Sequence, residues 1–164
     1  MSVVRNELLS ALDTPNIRAF LRVIRFGETD QTQDAYRMLV GGGYFQVPPW
    51  EHPKLLRAVK LRDGRILHST AAGAYQFLFR TWDEMQKKYD LDDFSPLNQD
   101  IAAVGLIHRR GALGDVKGGY LHVAIRKCAQ EWASLPGSPY KQPTKSLAKA
   151  LEVFTEYGGR ITET

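Results

Sequence analysis

Thr14-Pro15-Asn16-Ile17-Arg18-Ala19-Phe20-Leu21-Arg22-Val23-Ile24-Arg25-Phe26-Gly27-Glu28 spells an amphipathic helix with an acid at its end. Thr14 stands as N-cap and Pro15 takes the first helical position, where a missing N–H costs nothing. Ile17, Phe20, Leu21 and Ile24 recur at i, i+3, i+4 and i+7, which makes one face apolar and buries it. Gly27 reads as the stop, so Glu28 follows directly at the negative end of the helix dipole, which disfavours a carboxylate. Phe26 and nearby aromatics add desolvation in the same direction. The setting predicts a raised pKa, and a carboxyl that keeps its proton near neutral pH can act as a general acid.

The texture changes from Thr29 to about Ser69. Gly41-Gly42-Gly43, Pro48-Pro49, Pro53 and Asp63-Gly64 punctuate short runs such as Tyr44-Phe45-Gln46-Val47 and Arg65-Ile66-Leu67-His68. These are loop and short-strand signals, and they predict a small β-containing lobe over about residues 29–70. Helical spacing returns over Ala74 to Tyr89, with Tyr75, Leu78, Phe79, Trp82 and Met85 on one side. Ser95-Pro96 opens the next helix, with Gln99 expected to complete its first turn and Gly111 to end it. Two more helices are predicted, from about Leu121 to Trp132 and from about Thr144 to Tyr157, the latter stopped by Gly158-Gly159. The expectation is an α+β fold in a single domain over residues 1–164, with a mainly helical lobe, the small β lobe and a cleft between them.

The 164 residues suffice for one compact domain with a sizeable core. The balance of 43% hydrophobic and 24% charged residues is that of an ordinary globular chain. No run approaches the roughly 20 apolar residues of a membrane span. Arg5, Asn6 and Glu7 interrupt the N-terminus before any secretory pattern develops, so synthesis in a cytoplasm without a signal peptide is expected. Cys128, the single cysteine, agrees with a reducing compartment and reads as a buried, inert thiol. Lys and Arg total 22 against 18 Asp and Glu, a net charge of +4 that favours a polyanionic partner without choosing one. No basic run with interleaved aromatics points to nucleic acid. His52, His68, His108 and His122 have no metal-ligand spacing, and GxSxG, P-loop and GxGxxG patterns are absent. No metal or cofactor is expected.

Further motifs then fall into a known order. Gly27-Glu28-Thr29-Asp30 is similar to the Ser-Glu-Gly-Thr-Asp segment of the lambda-endolysin family, with one residue fewer. Tyr36 with Val40-Gly41-Gly42, then Glu51-His52-Pro53, resemble its next blocks. Ser69-Thr70-Ala71-Ala72-Gly73-Ala74-Tyr75-Gln76 is similar to Ser-Thr-Gly-Ala-Gly-Arg-Tyr-Gln. Asp93-Phe94-Ser95-Pro96, Gln99-Asp100, Arg110-Gly111-Ala112-Leu113 and Trp132-Ala133-Ser134-Leu135-Pro136-Gly137 complete the series. Each block is weak alone; the shared order and spacing over about residues 20–159 carry the resemblance. Arg37 stands where the family has an Asp, and Ala74 where it has an Arg.

The resemblance implies a lysozyme-like lytic transglycosylase, encoded by a phage or prophage, that lyses the host. Its substrate would be peptidoglycan glycan strands, cut at the β-1,4 bond between N-acetylmuramic acid and N-acetylglucosamine to leave 1,6-anhydromuramic acid ends. Glu28 would be catalytic, and Tyr36, Ser69, Tyr75, Gln76, Tyr140 and Gln142 would contact substrate. The resemblance also implies a holin as the partner that lets a cytoplasmic enzyme reach the periplasmic wall; a monomer is expected. Tyr75 also admits a reading as core, at i−4 from Phe79. Two alternatives stand beside this reading. One is a hydrolytic muramidase using Asp30, Asp34 or Asp100 as second carboxylate. The other is a non-catalytic wall-binding phage module.

Overall fold

A computed structural model describes residues 3–137 and 146–162. Among them the helices are α1 (Val3–Ala11), α2 (Pro15–Glu28), α3 (Phe79–Tyr89), α4 (Pro96–Arg109), α5 (Leu113–Gly118), α6 (Leu121–Cys128) and α7 (Leu147–Glu156). One antiparallel hairpin, β1 (Arg57–Lys60) with β2 (Ile66–Ser69), pairs Arg57 with Ser69 and Lys60 with Ile66. A mainly helical body and a small β lobe are thus both present.

The core is organised on α4. Its residues from Ile101 to Ile107 are all buried, so this helix is apolar around its whole circumference. Helices α1, α2, α3 and α5 pack against it, and α2 also rests on α5 and α7. Gly105 lets Tyr89 of α3 approach, since a Cβ there would lie 2.6 Å from its ring. The predicted stripe of α2 is buried: Ile17, Phe20 and Ile24 are fully covered.

Several expectations are corrected. Gly27 does not stop α2, which runs through it to Glu28; the break comes at Thr29, whose φ of −142° and ψ of −113° leave helical space. Residues 74–78 are not helical. Gly73, with φ +85°, turns the chain, Gln76 adopts φ +51°, and Ala72 and Phe77 bridge as a miniature hairpin. A Cβ at residue 73 would overlap the Gln99 amide oxygen, which accepts the Ala74 N–H at 3.0 Å. Gln99 is therefore a fully buried brace and no cap; it also donates to the carbonyls of Tyr36 and Phe94. Residues 44–47 form only an isolated bridge, Tyr44 with Met38, and β1 was not expected. The helix predicted to Trp132 ends at Cys128, and the helix predicted from Thr144 is described from Leu147.

The glycine run at 41–43 is a turn in which all three residues take positive φ. Arg57 of β1 pins it by donating to the carbonyls of Val40 and Gly42, at 2.8 and 2.6 Å. His52 is structural as well. It lies against the rings of Phe79 and Phe94, with Nε2 bonded to the Phe77 carbonyl at 2.8 Å. Cys128 is fully buried, and burial pushes its thiol up to about 12.

Candidate active site

A cavity of about 460 Å³ opens between the lobes, and Glu28 lines it. The same cavity is lined by Ser69 and His68 of β2, by Tyr75 and Gln76 of the turn, and by Thr81 of α3. Arg110, Gln130, Glu131 and Trp132 complete its wall from the far side.

Glu28 is half-buried at the last residue of α2. Burial raises its carboxyl to about 7, against the lowering effect of hydrogen bonds from Ser134. The Ser134 hydroxyl donates to Oε1 at 2.9 Å. The direction expected from the sequence is met, and burial is the cause that raises it. A carboxyl of this kind holds a proton at neutral pH yet can release it, the condition for general acid catalysis.

The cavity floor is built around Tyr75, a residue 1% exposed. The Tyr75 carbonyl accepts from Trp132 Nε1 at 3.1 Å, and the neighbouring Ala74 carbonyl accepts from the Thr29 hydroxyl at 2.7 Å. The Tyr75 hydroxyl donates to Asp100 Oδ1 at 2.6 Å. Gln76 lines the cavity while its amide donates to the Met38 and Gly73 carbonyls, at 3.2 and 3.0 Å. Ser69 is buried at the wall and accepts the Ala71 N–H at 3.1 Å.

Of the residues singled out in the sequence, Glu28, Ser69, Tyr75 and Gln76 thus meet in one cavity. Tyr36 does not line it: the residue is 6% exposed, and its hydroxyl donates to Asp100 Oδ1 at 2.8 Å, behind the floor. Tyr140 and Gln142 lie outside the described residues. The three aspartates weighed as second carboxylates do not line the cavity either. Asp30 caps Thr32, Asp34 pairs with Arg37 at 3.1 Å, and Asp100 is held by two tyrosines.

Two residues at the site escaped the sequence reading. Ser134 sits in a quoted motif, but its bond to Glu28 spans 106 positions. Glu131 is the carboxylate that shares the cavity lining with Glu28 among the described residues. Its Oε1 accepts from Arg109 Nη2 at 2.9 Å and from Arg110 Nε at 2.8 Å.

The family profile described as Endolysin matches residues 18–161. The endolysin of Escherichia phage P2 is 45% identical over 103 residues, 63% of this chain and 62% of that protein. The endolysin of Escherichia phage lambda is 37% identical over 152 residues, 89% of this chain and 93% of that protein. Bacteriophage lambda lysozyme, in its complex with a chitohexasaccharide, superposes with a TM-score of 0.80 at 35% identity. The match covers 90% of this chain and 97% of that one. With the profile spanning most of its length and a full-length relative at 37% identity, this chain belongs to the endolysin family.

Proposed function

We propose that this chain cuts peptidoglycan at the β-1,4 bond between N-acetylmuramic acid and N-acetylglucosamine by intramolecular transglycosylation. The observation that carries the reading is Glu28, a carboxyl raised to about 7 at the edge of a cavity between the lobes. The related lysozyme that takes a chitohexasaccharide supports a glycan strand as the occupant. Glu28 gives its proton to the glycosidic oxygen as the bond to muramyl C1 breaks. The carboxylate left behind takes the proton of the muramyl C6 hydroxyl as that oxygen closes on C1. Protons balance, no water is consumed, and the product carries a 1,6-anhydro end. One group serves as acid and then base, so no second carboxylate is required. Ser134 steadies Glu28 in both states, since its hydroxyl donates to whichever oxygen is unprotonated.

Lysis of the host is the biological outcome, with a holin providing the route to the periplasmic wall; no helix of the described residues is long and apolar enough to cross a membrane. In this reading the enzyme acts as a monomer.

Glu131 favours a second reading, hydrolysis, because it places another carboxylate on the same cavity. Two arginines already occupy one of its oxygens. Digestion of purified Gram-negative sacculi separates the readings. Transglycosylation yields muropeptides lighter by one water that borohydride does not reduce. Reducible, heavier muropeptides would overturn it in favour of hydrolysis, and Glu131→Gln would then stop turnover.

A further inference from the structure

The segment after Glu28 leaves α2 abruptly at Thr29. Thr32 is exposed, Asp30 and Gln31 are only half-covered, and none brings an apolar side chain to anchor it. What holds the segment is a pair of arginines on α2, one turn apart. Arg25 Nε donates to the Asp30 carbonyl at 3.2 Å, Arg22 Nη1 to the Gln31 carbonyl at 3.1 Å, and Arg25 Nη2 to the Thr32 carbonyl at 2.7 Å. Consecutive carbonyls are thus gripped by the helix that carries Glu28. Gln31 returns the contact by donating to the Arg22 carbonyl at 2.8 Å.

Arg25 is the unusual member. It is 3% exposed, and its guanidinium lies 4.8 Å from the centre of the Tyr36 ring. Burying a cation is costly unless its donors are satisfied and an anion is near. Here Nη1 donates to the Tyr36 hydroxyl at 3.3 Å, and that hydroxyl donates to Asp100 at 2.8 Å. Asp100 in turn receives the Tyr75 hydroxyl at 2.6 Å. A hydrogen-bonded line therefore runs from the backbone behind Glu28 to the cavity floor in front of it.

The geometry points to Arg25 as a positioning residue for the reaction: with Arg22 it clasps residues 30–32, and through Tyr36 and Asp100 it locks that clasp to Tyr75. It touches no substrate and acts by fixing where the Glu28 carboxyl stands relative to the floor. The inference rests on Glu28 being the acid, as proposed above. Misplacing a reacting group by about 1 Å can cost roughly a hundredfold in rate, whereas a surface arginine costs little.

The test compares Arg25→Met, Arg25→Lys, Tyr36→Phe and Glu28→Gln on purified sacculi, with binding of a chitohexasaccharide measured alongside. Arg18→Met, an exposed arginine of the same helix, is the control expected to match the parent. For Arg25→Met, kcat should fall roughly ten- to a hundredfold while oligosaccharide affinity stays within about threefold, and Arg25→Lys should recover part of the loss. A kcat within about threefold of the parent, or equal losses of kcat and affinity, would overturn the assignment. If Arg25→Met does not fold, Arg25→Lys and Tyr36→Phe decide by the same split between turnover and affinity. Glu28→Gln separates the two failures. Full activity there, or a parent chain inert on sacculi, removes the acid and the clasp together; an inactive Glu28→Gln beside an unaffected Arg25→Met removes the clasp alone.

Discussion

Two half-buried carboxyl groups stand on either side of Tyr75 and show what separates a catalytic acid from a structural one. Glu28 faces the cavity, takes hydrogen bonds from Ser134 and is raised to about 7 by burial. Asp100 lies behind the floor and is raised by burial too, but two tyrosine hydroxyls close on one oxygen and Arg25 opposes the rise. Desolvation alone therefore makes a weak acid in both places. Access to the cavity makes one of them useful, while the hydrogen bonds of the other spend it on the scaffold.

The largest effect should come from removing the accessible proton. Glu28→Gln keeps the shape and can still accept from Ser134, yet it cannot donate to a glycosidic oxygen. Turnover of sacculi should fall about a thousandfold or more, since a single general acid is worth roughly 10²–10⁴ and this one also acts as base. A variant retaining a tenth of the activity would erase the distinction between the two carboxyls.

Asp100→Asn is the matching experiment on the other side. It leaves an acceptor for the tyrosines but removes the charge that balances buried Arg25. We expect a stability loss of about 1–3 kcal/mol by denaturant unfolding, and a fall in turnover much smaller than that of Glu28→Gln. A loss of turnover as large as that of Glu28→Gln, in a folded protein, would make Asp100 catalytic.

The stability of Glu28→Gln sharpens the comparison further. The folded pKa lies above the unfolded one, so the folded state binds the proton more tightly. This group therefore penalises folding progressively as pH rises from about 4.5 through about 7. Above that window the variant should be more stable than the parent by up to roughly 3.5 kcal/mol, since each pH unit of difference is worth about 1.4 kcal/mol. Below pH 4 the two should converge. Equal unfolding free energies at pH 8 would contradict a destabilised carboxylate.

The smallest effect belongs to Ser134→Ala. Its hydroxyl favours the charged form, so its loss should raise the Glu28 pKa further and carry the alkaline limb of the pH–rate profile upward, with a modest change in maximal rate. A limb that moves down would show that Ser134 does not hold the carboxylate.

Much of this was legible in the sequence where the signal is local. The stripe of α2 and the carboxyl behind it follow from spacing over a few turns, and the ordered motif blocks pointed to the fold and to Ser69, Tyr75 and Gln76, which line the cavity. The misses have a common physical cause. Residues 74–78 carry helical spacing, but the backbone is turned by Gly73 and Gln76 at positive φ and braced by Gln99, contacts that spacing does not register. Tyr36, expected from its motif at the substrate, stands outside the cavity lining, with its hydroxyl bonded to an aspartate 64 positions away. Glu131 was hidden because only the folded chain brings it onto the cavity beside Arg110. Strand β1 is short and mixed in polarity, with no residue fully buried, so alternation had little to report.

The most direct measurement is the titration of the Glu28 side-chain carboxyl carbon by carbon-13 NMR in the folded protein, assigned by its disappearance in Glu28→Gln. A midpoint near 7 is predicted; a midpoint near the ordinary 4.5 would leave Glu28 ionised at neutral pH and contradict its role as the acid.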